Sequence, residues 1–149
     1  MEADMPKIMK SLNIISRCQA TYRGAKLSEL PACYHTFVLA ICRESGRSQE
    51  ELSRDIKVNK STTTRALSYL EEKGYITRTP NPQDKRELLI YPTEKMSAIL
   101  SEVKSITTDW HYLISRGISD AEMEIFESVI ARMEKSARQA VDELEEEIR

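Results

Sequence analysis

Glycine and proline are scarce in this chain, four of one and five of the other in 149 residues. Together they make about half the usual share. Sandwiches and barrels need a turn every ~8–12 residues, so an all-β fold is excluded and long helices with few breaks are expected. Long apolar runs are lacking too. The longest stretch without a charged residue, 30–42, is thirteen residues, short of the ~18–20 that a membrane span needs. Cysteine is sparse and odd in number (Cys18, Cys33, Cys42), which fits neither a disulfide framework nor a thiol metal site. The start, Met-Glu-Ala-Asp-Met-Pro-Lys, lacks the basic-then-apolar order of a secretory signal. The expectation is a cytoplasmic, single-domain protein with an ordinary core, since a chain of this length buries roughly 70% of its unfolded surface.

Signatures of catalysis are missing as well. The four glycines stand singly, so no Gly-rich phosphate loop exists, and there is no C-x-x-C, H-E-x-x-H or G-x-S-x-G. Neither His35 nor His111 has a nearby Ser or Cys arranged in sequence like a nucleophile pair. The reading is a non-enzyme without cofactor or bound metal.

What is present is a charge gradient. The net charge is −2, yet residues 53–86 hold eight Lys/Arg against four Asp/Glu, and residues 119–149 hold ten acids against four bases. A basic middle suits a polyanion, and an acidic end does not.

Helical periodicity fills most of the chain. Ile8, Leu12, Ile15, Gln19 and Tyr22 recur at spacings of four and three. A second helix is expected from Pro31 to about Glu44, with His35, Val38, Leu39 and Cys42 facing inward. Gly24, Gly46, Gly74 and Gly117 each follow such a stretch, where a left-handed residue ends a helix. Ser48-Gln49-Glu50-Glu51 is a capping box opening a short helix to about Ile56. Lys57-Val58-Asn59 turns, and Asn59 caps a helix to about Lys73 that faces Thr63, Ala66, Leu67 and Leu70 inward. Two short helices on a tight turn form a helix-turn-helix. Tyr75–Thr79 and Glu87–Tyr91 are β-prone and flank a polar loop, a hairpin wing. Two further helices follow. One carries Met96, Ile99, Val103, Ile106, Trp110 and Leu113. The other, behind a second capping box at Ser119, carries Phe126, Ile130, Met133, Ala137, Ala140 and Leu144. Three such seams exceed what one small lobe covers, so a helical dimer interface is expected. The fold class is mainly α with a small β-hairpin wing. A winged helix-turn-helix lobe would span 30–92, and a helical dimerisation region 1–28 and 93–149.

The outward residues of the second motif helix are Lys60, Ser61, Thr62, Thr64, Arg65 and Ser68. Small hydroxyls near a helix N-terminus approach base edges and phosphates closely. With Ser48, Gln49 and the wing residues Lys85 and Arg86 they make the candidate DNA-binding set. Residues 84 and 86 alternate along an extended strand and so project to one side. On that reading Asp84 accepts from the Arg86 guanidinium and fixes its direction.

These segments resemble the MarR-type winged-helix transcriptional regulators. The resemblance runs through Leu52-Ser53, Asn59–Arg65, Leu70–Arg78, Asp84-Lys85-Arg86, Thr93-Glu94-Lys95 and Gly117-Ile118-Ser119, over about residues 27–140. It departs at Pro92, where leucine is usual, and at Met96, where glycine is common. The resemblance implies a homodimer on a pseudo-palindromic double-stranded operator. The recognition helix would lie in the major groove and Arg86 in the minor groove, held by an aspartate matched here by Asp84. It also implies a repressor relieved by a small-molecule effector, a metal or an oxidant. Alternatives stay open: a winged helix that binds protein, a zinc or nickel site using His35 or His111, or oxidant sensing at Cys18. The expectation is a packed His35 with one hydrogen bond, an exposed His111, a buried Cys18 and an unassigned effector site.

Overall fold

The computed structural model describes residues 6–148. In chain order they form α1 (Lys7–Lys26), a 3₁₀ turn (Ala32–Tyr34), α2 (His35–Arg43), β1 (Arg47–Ser48), α3 (Gln49–Ile56) and α4 (Lys60–Glu72). Then come β2 (Ile76–Pro80), β3 (Leu88–Pro92), α5 (Glu94–Ile114) and α6 (Asp120–Ile148). The chain forms two compact units that divide between Trp110 and His111. The mainly helical fold with a small wing is as the sequence indicates. No helix among the described residues is long and apolar enough to cross a membrane.

In the first unit, one core joins α2, α3, α4, the sheet and the start of α5. Leu30, Val38, Ile41, Leu52, Leu67, Leu70, Ile90, Met96 and Val103 are all essentially inaccessible. Each contributes about 1.5–3 kcal/mol of transfer free energy. The inward face of α2 is wider than expected, with His35 and Val38 buried as the sequence indicates. Phe37, Val38, Ala40 and Ile41 are buried, whereas Leu39 and Cys42 are only half-buried.

Two further corrections come from packing. Met96, Ile99, Val103 and Ile106 of α5 were expected on an intermolecular seam, but they are buried inside this unit. Periodicity identifies a face, not the partner that covers it. Gly24 does not end α1, which runs on to Lys26 before Leu27 turns extended. A Cβ at Gly24 would stand 4.0 Å from that of Ala32, so the glycine lies inside the helix where the 3₁₀ turn approaches it.

The sheet has three strands in the order β1-β3-β2, all antiparallel. Its β2–β3 hairpin pairs Ile76 with Pro92 and Pro80 with Leu88. The third strand was not anticipated: Arg47 pairs with Ile90 and Ser48 with Leu89. Two residues are too few to show a period. Gly46 sets the approach to β1 at φ 78°, and a Cβ there would meet the Tyr91 hydroxyl at 3.1 Å and its ring at 3.2–3.3 Å.

The second unit is chiefly α6. Its capping box is present: Ser119 Oγ accepts from Glu122 N at 3.3 Å, and Ser119 N donates to Glu122 Oε2 at 2.9 Å. Bonds from the Ser119 hydroxyl and backbone amide hold the Glu122 carboxyl below its ordinary range. No residue of α6 is buried, and Ile125, Phe126 and Leu144 are each more than half exposed.

His35 is wholly buried at the start of α2, and its Nε2 lies 3.2 Å from Leu30 O. A carbonyl only accepts, so Nε2 carries the proton and Nδ1 keeps a lone pair, for which no partner is present. Burial lowers its pKa below the ordinary 6.5, opposed by the Leu30 bond and assisted by the Arg23 charge. The fold therefore holds neutral imidazole. As pH drops below 6.5 the unfolded chain binds a proton that the native state refuses, and stability falls. Thermal unfolding of wild type against His35→Gln should show a wild-type excess loss that begins below pH ~6.5. The excess is bounded by ~1.4 kcal/mol per pH unit, the slope for one whole proton. Parallel pH profiles would show that His35 titrates normally.

Candidate nucleic-acid interface

The helix-turn-helix is built by two caps and one left-handed residue. Ser48 Oγ accepts from Glu51 N while Glu51 Oε2 accepts from Ser48 N, so both ends of the capping box close. Lys57 takes φ 58°, which ends α3. Ser53 Oγ donates to Val58 O at 2.7 Å and ties the turn back to α3. Asn59 Oδ1 then accepts from Thr62 N and from Ser61 Oγ, each at 2.8 Å.

The inner face of α4 fixes its rotation. Thr63, Ala66, Leu67 and Leu70 are completely buried, and Thr63 Oγ1 donates to Asn59 O. The opposite face leaves Lys60, Ser61, Thr64, Arg65 and Ser68 exposed, with Thr62 half-buried beside them. Across the turn, Gln49 Nε2 donates to Thr64 Oγ1 at 2.6 Å, so the first residue of α3 joins this face. Ser48 does not join it. That serine is buried and its hydroxyl serves the cap, so the expected DNA contact from its side chain is corrected. A side chain cannot both fill an N-cap beneath the helix and reach outward.

In the wing, Lys85 and Arg86 are exposed as expected, but their setting differs. Residues 84–86 form a turn, not an extended strand. Asp84 Oδ1 accepts from the backbone N of Arg86 at 3.0 Å, and Asp84 O accepts from Glu87 N. Among the described residues no ion pair joins Asp84 to the Arg86 guanidinium. Asp84 thus shapes the peptide that carries Arg86. Aspartate bonding to the amide two residues on is ordinary turn chemistry, and it outcompeted the strand reading. Asn81 and Glu87 brace the base of the loop, Asn81 Nδ2 to Glu87 Oε2 at 2.7 Å. Neither was singled out in the sequence.

Two other supports were missed. Arg47 lies almost buried between α2 and α3. Its Nη2 donates to Ala40 O at 2.7 Å and its Nη1 reaches Asp55 at 3.1 Å, where Arg43 also pairs. Thr93 Oγ1 lies within 3.0 Å of both Gly74 O and Tyr75 O, and Lys95 Nζ donates to Lys73 O at 2.7 Å. The Lys95 ammonium also stands 4.3 Å above the Tyr75 ring. A cation on the terminal carbonyls of α4 is favourable. The start of α5 therefore holds the end of α4. The Thr-Glu-Lys run was the only sequence signal for it.

His111 and Cys18 are exposed. A buried Cys18 was expected, but the α1 face that carries it is uncovered in a single chain. Among the described residues no three His, Cys, Asp or Glu side chains are grouped to hold a metal.

Comparison with known proteins agrees with this geometry. A model of the MarR family matches residues 35–88, from the start of α2 to the start of β3. The HTH-type transcriptional regulator BilQ of Clostridioides difficile (strain CD3) is 33% identical over 86 residues, 58% of this chain and 58% of that one. The chain thus matches less than two thirds of that relative's length. A MarR transcriptional regulator from Methanosarcina mazei Go1 is 28% identical with TM-score 0.79, over 88% of this chain and 96% of its own. A mutant MarR from E. coli, solved in complex with operator DNA, has TM-score 0.77 over 85% of this chain and 93% of its own. At 22% identity that last likeness speaks for the fold alone.

The turn bond at Asp84 has a direct readout. Asp84→Ala should speed hydrogen exchange of the Arg86 amide, since a bond worth about 0.5–1.5 kcal/mol is removed. Asp84→Asn keeps an acceptor oxygen and should leave exchange nearly as slow. Equal acceleration in both variants would mean that the carboxylate charge, not the turn bond, orders the loop.

Proposed function

We propose that this chain is a regulator of the MarR family, whose model matches its residues 35–88, and that it is a cytoplasmic, homodimeric repressor of transcription that binds a pseudo-palindromic double-stranded operator and is released by a small-molecule effector. The carrying observation is the outer face of α4. Its rotation is locked by four buried residues, and it presents hydroxyls between Lys60 and Arg65. The exposed wing cations, Lys85 and Arg86, extend the same chemistry. Small hydroxyls suit base edges, and the cations suit phosphates or a narrow minor groove. A winged helix that binds protein has no need of this combination.

Support for the dimer comes from the uncovered apolar side chains. Ile8, Met9, Ile14 and Ile15 on α1, and Ile125, Phe126, Val129 and Leu144 on α6, are exposed. Apolar surface of this extent on a lone chain marks an association site. Support for an effector comes from two buried polar atoms without partners, Arg23 Nε and His35 Nδ1. One needs an acceptor and the other a donor, a hydrogen-bonding demand that the chain itself leaves unmet.

Two measurements test the proposal. Light scattering should give twice 17.1 kDa for wild type, while Leu144→Asp, which places charge in the association surface, should shift it toward monomer. A wild-type mass of one chain ends the dimer. Duplexes selected from random DNA should show half-sites ~10 base pairs apart, and affinity should fall about a thousandfold or more between 50 and 200 mM salt, taking roughly six or more phosphate contacts. Binding that ignores salt, or no selected duplex at all, ends the operator reading.

A further inference from the structure

One hydroxyl at the front of α4 serves two helices. Thr64 Oγ1 lies 2.8 Å from Lys60 O and 2.6 Å from Gln49 Nε2. The direction of both bonds follows from chemistry. A carbonyl only accepts, so the Thr64 proton points to Lys60, and the amide atom facing the hydroxyl lone pair must carry hydrogen. The polar capacity of Thr64 is thereby largely spent. What this exposed residue still offers a partner is its Cγ2 methyl.

Gln49 has used one N–H and keeps a second N–H beside its Oε1. That is one donor next to one acceptor, held in place because the bond to Thr64 settles the side-chain rotamer before any ligand arrives. In the major groove, adenine alone shows a complementary pair, the N7 acceptor beside the N6 amino donor. Guanine shows two acceptors there, cytosine a single amino donor, and thymine an acceptor with a methyl group. The methyl left on Thr64 fits the thymine methyl by apolar contact.

Resting on the operator reading above, we infer that Gln49 and Thr64 act as one coupled reader of A·T pairs, Gln49 taking an adenine edge and Thr64 a thymine methyl. The pair determines sequence preference. Lys60, Arg65 and the wing cations supply phosphate affinity that any sequence satisfies.

Single-atom changes in the DNA test it. A duplex selected from random DNA by the full-length protein is remade with each thymine in turn as deoxyuridine, and each adenine in turn as 7-deazaadenine. Wild type should lose about fourfold at one thymine, the worth of a buried methyl. It should lose about fivefold or more at one adenine, the lower end for a bidentate contact. Thr64→Ser keeps the hydroxyl and should lose only the thymine sensitivity. Gln49→Ala should lose only the adenine sensitivity. Thr64→Val keeps a methyl but not the lone pair that holds Gln49, so it should keep the first sensitivity and weaken the second. In all three variants the salt slope and the circular dichroism should match wild type. A selected duplex that wild type binds with no such sensitive position overturns the inference, as do variants that retain both sensitivities. Those results leave the operator reading standing. Failure to select any duplex overturns that reading, and this inference with it.

Discussion

The rotation of α4 about its own axis is the constraint on which the site depends. Thr63, Ala66, Leu67 and Leu70 lock it from inside, and a turn of one residue would move the outward set by about 100°. Lys60 and Ser61 would then give way to side chains suited to the core. The lock is apolar on three sides and polar on one, since the Thr63 hydroxyl returns to the Asn59 carbonyl. Position along the axis is fixed separately, by the Asn59 cap at one end and by Lys95 and Thr93 at the other.

The same economy governs the wing. Its central strand β3 is paired on both edges, by β2 over five residues and by β1 over two. Because β1 runs straight into the Ser48 cap of α3, the wing root and the helix-turn-helix share backbone. Arg47 reinforces that joint by satisfying carbonyls at the end of α2 and the Asp55 carboxylate of α3. Asp55 is a third exposed and keeps Arg43 as a second partner, so the joint rests chiefly on the nearly buried Arg47 and its bonds to the α2 carbonyls. The joint therefore holds the wing strand and the helix-turn-helix in one frame.

Much of this was legible in the residues, for physical reasons that differ by element. Caps such as Ser48 and Asn59 could be read because the chemistry is local: one oxygen, one amide, three positions apart. The inner face of α4 could be read because its period is regular over thirteen residues. Failures came where the deciding contact is remote or where two local rules compete. The buried stripe of α5 looked intermolecular because its cover lies far away in sequence. Asp84 was assigned to a strand by alternation, while its bond to the Arg86 amide makes a turn. Ser48 was given a second task that its burial forbids. Within the candidate site, the side chains of α4 and the wing emerged, whereas the groups holding them (Arg47, Asn81, Thr93, Lys95) did not. A supporting side chain has no pattern of its own until its partner is known.

Gly46 carries a consequence for how sequences of this kind drift. The positive φ and the end of the Tyr91 side chain at 3.1–3.3 Å from a notional Cβ apply at the same residue. Gly74 and Gly117 share the positive φ, but a Cβ at either meets nothing within 4 Å. Asparagine pays only the modest strain of a left-handed backbone, so the latter two sites are open to it. At position 46 the same replacement would also press on the end of the Tyr91 side chain, on the wing's central strand. Positions 46 and 91 are thus coupled: a side chain at 46 fits only as the exposed Tyr91 side chain gives way by a few tenths of an ångström.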